Sequence, residues 1–118
     1  MTTNLTDSIL TSIKLQLGIP AEHTEFDTQL IKHINSVFLT LFEIGAGPKD
    51  GFRISDASST WLEYCNNEML GDTIAEYVFL KVKMLFDPST SSAVGDSIKE
   101  QIKELEFRIN TAVELNIL

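Results

Sequence analysis

The chain has a single cysteine, Cys65, and this excludes two common ways of holding a small protein together. No disulfide can close within it, and no CxxC pair offers a zinc site. A reducing compartment is the simplest setting. Basic residues are also scarce: nine Lys and Arg stand against 17 Asp and Glu, a formal net charge of −8. A surface of that sign repels phosphate, which argues against a nucleic-acid-binding face and against an anionic membrane. No apolar run approaches the ~20 residues of a membrane helix, and Met1–Asp7 lacks the basic and apolar regions of a secretory signal. Proline occurs three times and glycine six times, so each acts as punctuation between longer periodic segments.

What is present is helical periodicity. The 118 residues suit one domain, 1–118, with 43% apolar and 22% charged residues, an ordinary globular balance. Leu5, Ile9, Ile13 and Leu17 recur every four residues and predict a first helix from Asn4 or Thr6 to Leu17, stopped by Gly18. Asp27 is placed to cap a second helix from Thr28 to Ile44. Its broad apolar arc (Leu30, Ile31, Ile34, Val37, Phe38, Leu41, Phe42, Ile44) reads as a central, heavily buried element. Asp56 is placed to cap a short helix carrying Trp61, Leu62 and Tyr64, with Asn66-Asn67 at its end. A fourth helix runs from Met69 or Asp72 to Phe86 with little polar face, so it is either buried on most sides or partly awaiting a partner. The last starts at Ser91 or Ser92 and passes Ala112, with a narrow seam of Val94, Ile98, Ile102, Leu105, Ile109 and Ala112. The expected fold is all-α, a compact bundle of four to five helices, with a Gly-rich loop or short hairpin after the second.

Candidate chemistry is sparse. His23 and His33 have no second histidine at helical metal spacing. Cys65, in Tyr64-Cys65-Asn66, lies in no nucleophile motif and reads as a half-buried, inert thiol. No carboxylate pair stands out as an acid/base couple. Gly45-Ala46-Gly47-Pro48-Lys49-Asp50-Gly51 lacks the GK[ST] of a phosphate loop. No catalytic, cofactor or metal site is expected.

The residues that break pattern point instead to protein contacts. Phe52 and Ile54 alternate with Arg53 and Ser55, and this segment is either a flexible loop or an edge that pairs with another chain. Phe107 lies about 180° around the last helix from its apolar seam, taking ~100° per residue. It packs either a second helix of its own chain or another subunit. Lys81 interrupts the apolar arc of the fourth helix, where it either snorkels to solvent or pairs across a subunit boundary. Phe52, Arg53, Ile54, Lys81 and Phe107 are the interface candidates.

Taken in order, several segments resemble a known family. They are Leu17-Gly18-Ile19-Pro20 before Phe26-Asp27, His33-Ile34-Asn35-Ser36-Val37, Gly47-Pro48 followed by Gly51-Phe52-Arg53-Ile54-Ser55-Asp56, and Trp61. Tyr77 through Pro88, Thr90-Ser91-Ser92-Ala93-Val94, and the helix through Ile102, Leu105-Glu106-Phe107-Arg108 and Asn110 complete the set. Over nearly its whole length the chain resembles the small head–tail connector (adaptor) proteins of long-tailed phages and prophages of Gram-positive bacteria. The resemblance implies a non-enzymatic subunit of a ring of about a dozen copies. Such a ring sits below the portal, extends the DNA channel and docks the next head-completion or tail component. Partners would be copies of itself, the portal protein and that downstream component, with DNA only as passing cargo and no membrane. The location would be the virion's head–tail junction, after the host cytoplasm. The alternative is a small helical adaptor or regulator that binds one protein partner without forming a ring.

Overall fold

The computed structural model describes residues 4–118; residues 1–3, where the segment read as lacking a secretory signal begins, lie outside the described residues. Among the described residues five helices, α1 (Ile9–Gln16), α2 (Asp27–Glu43), α3 (Trp61–Tyr64), α4 (Glu68–Phe86) and α5 (Ser92–Glu114), form an all-α bundle. Small polar side chains set three of the starts. Ser8, Asn67 and Ser91 accept from the amides of Thr11, Leu70 and Val94, pairing donors that a helix start leaves open. Asn67 therefore opens α4 rather than closing α3.

Two expected caps do other work. Asp27 is the first residue of α2, after Phe26, and its carboxylate turns to Lys14 Nζ at 2.8 Å. Asp56 accepts the Ser58 amide at 2.8 Å, while α3 follows Thr60, whose N–H donates to Glu63 Oε2 at 2.7 Å.

α1 begins later than its periodicity suggests. The Asn4 side chain accepts the Thr6 amide at 3.0 Å and fixes a turn. The following residues run beside the approach to α3: Ile9 N–H donates to Ser59 O (2.9 Å), Leu62 N–H donates to Leu5 O (2.8 Å), and Ser8 and Thr60 form an antiparallel bridge. The hairpin considered for Lys49–Ser55 does not form, and that stretch holds no strand. Among the described residues, sheet-like pairing lies at Ser8 and Thr60 instead.

α4 is the central helix, packed against both α2 and α5. Ile74, Ala75, Tyr77, Val78, Leu80 and Val82 are all buried; at ~100° per residue they occupy more than half of its circumference. The sequence offered α2 for this place. Instead α2 buries Leu30, Ile34, Val37, Phe38 and Leu41 and leaves Leu39 and Phe42 exposed. α5 gives its seam from Ile98 to Ala112 to the core, but Val94, read as the seam's first member, sits in the first turn and is exposed.

One buried charge fastens the first two helices. Lys14 is 2% exposed, and its ammonium lies between Asp27 Oδ1 at 2.8 Å and Ala21 O at 3.0 Å. The cation is thus both paired and hydrogen-bonded, which its burial demands.

Candidate protein–protein interface

The reactive side chains are poorly placed for chemistry. Cys65 is buried, and burial pushes its thiol pKa up, which keeps it in the less nucleophilic form. His23 is exposed in the α1–α2 connection, and the Nε2 of His33 is buried without a hydrogen-bond partner among the described residues. Among those residues no three His, Cys, Asp or Glu side chains are grouped to hold a metal ion. The surface is more informative.

After α2 the chain turns sharply. The amides of Gly45 and Ala46 donate back to Phe42 O (3.0 Å) and Leu41 O (2.9 Å), satisfying carbonyls at the helix end. Gly47 has φ +89°, and a Cβ there would stand 2.5 Å from the Tyr64 ring; only glycine fits. Gly51 N–H then closes a turn on Pro48 O at 3.0 Å.

The three loop candidates separate at this point. Ile54 is 1% exposed and belongs to the core. Its backbone is occupied as well, since its N–H donates to Asn35 Oδ1 (2.8 Å) and its C=O accepts from Asn35 Nδ2 (2.9 Å). Ile54 has neither side chain nor strand edge to give to another subunit, which corrects its assignment. Phe52 is partly buried, with its ring edge-on to Phe38 at 5.0 Å and to Tyr64 at 5.3 Å. Arg53 is exposed.

Between α2 and this loop runs a groove of about 560 Å³, lined by Lys32, Ser36, Leu39, Phe42, Phe52 and Arg53 among others. Its apolar surface comes from Leu39, which is 58% exposed, Phe42 and Phe52. Lys32, Arg53 and Asp50 are its charged lining residues, two bases against one acid. The groove is therefore net positive in a chain of net charge −8.

Phe107 is 72% exposed, so within its own chain it does not bury against a second helix. It sits opposite the α5 seam, and the seam faces α4. The groove sits on the side of α2 away from its buried face. The groove and Phe107 are thus two separate exposed features on two different helices, both of which pack against α4. Lys81 is half-buried, with its ammonium 5.9 Å from the centre of the Tyr77 ring, at the limit of a cation–π contact. The structure brings Phe52 and Arg53 together and leaves Lys81 and Phe107 apart from them. Leu39 and Phe42 escaped the sequence reading because the wide apolar arc of α2 assigned Phe42 to the core and passed over Leu39; no sequence signal separated arc members that reach water.

The bundle thus exposes a net-positive apolar groove beside α2 and a large aromatic on the polar face of α5. A family model described as phage connector protein matches residues 9–116, and the chain belongs to that family. No curated protein and no solved structure matches it. The family is one of phage structural proteins, and the match covers every helix.

Proposed function

We propose that the chain is a ring-forming subunit at the phage head–tail junction. About a dozen copies would close a ring between the portal and the tail, extend the DNA channel, and dock the next head-completion or tail component. The observation that carries this reading is that one subunit has two different exposed features, the Leu39/Phe42/Phe52 groove beside α2 and Phe107 on α5. A head-to-tail ring contact requires two unlike patches, whereas a one-to-one adaptor requires one.

The charge fits the same role. At −8, a ring of such subunits presents a wall that DNA passes without adhering to it. Phe52, Arg53, Lys81 and Phe107 remain the proposed interface residues, now joined by Leu39 and Phe42. The role is non-catalytic, in keeping with the burial that pushes the Cys65 thiol pKa up. Assembly would carry the protein from the host cytoplasm into the virion.

Native mass by light scattering tests this, on the protein alone and then mixed with portal from the same phage. Rings, or one ring's worth of copies per portal, are expected. A monomer under both conditions would replace the ring with the one-to-one adaptor.

A further inference from the structure

We infer that neighbouring copies in the ring join by seating Phe107 of one subunit in the Leu39/Phe42/Phe52 groove of the next, an inference that rests on the ring reading above. A ring of like copies closes head to tail, so each subunit must offer two unlike patches, one to each neighbour. The groove on α2 and Phe107 on α5 are such a pair, carried by different helices that both pack on α4.

The chemistry of the two faces is complementary. The groove is aromatic, with Phe42 and Phe52 in its lining, and an aromatic ring entering it gains edge-to-face contacts beyond its buried area. Its lining carries two bases, Lys32 and Arg53, against Asp50. α5 carries five acids (Asp96, Glu100, Glu104, Glu106, Glu114) against three bases (Lys99, Lys103, Arg108). The groove lining and the helix that bears Phe107 therefore carry opposite net charges, +1 and −2, which favours this orientation of approach.

The size of the contact matters too. One aromatic side chain in a groove of about 560 Å³ covers far less than the roughly 800 Å² per partner of a stable pair. Isolated copies accordingly associate weakly, and the contact becomes effective when the portal holds many copies side by side.

Cysteine cross-linking tests the contact. In a Cys65→Ala background, Leu39→Cys and Phe107→Cys are combined in one chain, loaded on portal and oxidised. Both positions are more than half exposed, and circular dichroism verifies the fold. A ladder of linked oligomers is expected from the double variant and none from either single one. Rings that form without a ladder, or dimers from one single variant, would overturn this contact while leaving the ring intact. If unmodified protein forms no ring on portal, the connector reading fails and the contact with it. Independently, Phe107→Ala should raise the concentration for half-saturation of portal at least about tenfold, as loss of an aromatic anchor does; unchanged loading would reject the contact.

Discussion

The side chain of Asn35 holds both backbone polar groups of Ile54, accepting from its N–H at 2.8 Å and donating to its C=O at 2.9 Å. A primary amide presents a donor and an acceptor in the same geometry as a strand neighbour. One α2 side chain thus replaces a β-partner for the segment after the glycine-rich turn, and fixes the wall of the groove to its floor.

Replacing Asn35 by Ala should cost about 2–3 kcal/mol, because two buried backbone groups lose their partners. Urea unfolding gives the magnitude, and hydrogen exchange at the Ile54 amide gives the location. An unprotected Ile54 amide in the native protein would show that the clamp does not hold in solution.

The Lys14–Asp27 pair should respond asymmetrically. Asp27→Asn leaves an ammonium that is 2% exposed with only neutral oxygens to receive it, whereas Lys14→Met leaves a carboxylate that is 26% exposed. Removing one member of a buried pair is costly chiefly through the charge left behind. The loss on Asp27→Asn should be about 2–4 kcal/mol, and that on Lys14→Met less than half as large. Equal losses in chemical denaturation would mean that Lys14 reaches water more readily than its burial implies.

Two glycines with similar backbone angles should differ in tolerance. Gly18 has φ +82° with open space around a Cβ, and Gly47 has φ +89° with the Tyr64 ring in the way. Gly18→Ala should cost about 1 kcal/mol, from conformation alone. Gly47→Ala should cost about 2–4 kcal/mol, since Tyr64 must move and it packs against Phe38 and Phe52. Thermal unfolding of the pair checks the order.

Alkaline pH should weaken the fold through Tyr77. Burial first, and the nearby charge of Glu106 second, push its pKa from 10.0 up to about 12. Folding therefore favours the protonated ring. That contribution is full below pH 10.0 and is lost as the pH climbs through about 12. Tyr77→Phe removes a hydroxyl that has no hydrogen-bond partner among the described residues. It should leave neutral stability nearly unchanged and flatten the decline above pH 10.0. A decline of unaltered steepness, followed by urea midpoints and tyrosinate absorbance, would exclude Tyr77 as its source.

The helices were legible because periodicity and punctuation agree: Gly18 and Pro20, Gly47 and Pro48, and Pro88 fall between elements. Phe107 was legible because it stands alone on a polar face. Leu39 and Phe42 were not, since the border between core and solvent on a wide apolar arc depends on which helices arrive beside it, and α4, not α2, took the middle. Asn35 and Lys14 were hidden for another reason. Their partners are set by tertiary approach, across 19 residues for Asn35 and Ile54, and a polar residue beside an apolar stripe carries no mark of what it will meet. Asp27 was identified as important to the start of α2, but the attraction of a buried lysine outweighed a cap.

The central place of α4 has a further consequence. Substitutions on its buried circumference must satisfy two neighbouring helices at once, while exposed positions such as Leu39 and Phe107 answer to far less packing within the subunit. If the proposed contact joins the copies, relatives can exchange groove and aromatic together, as lock and key, without disturbing the scaffold. In such a lineage, paired changes at positions 39, 42 and 107 would trace the history of which neighbour each subunit accepts.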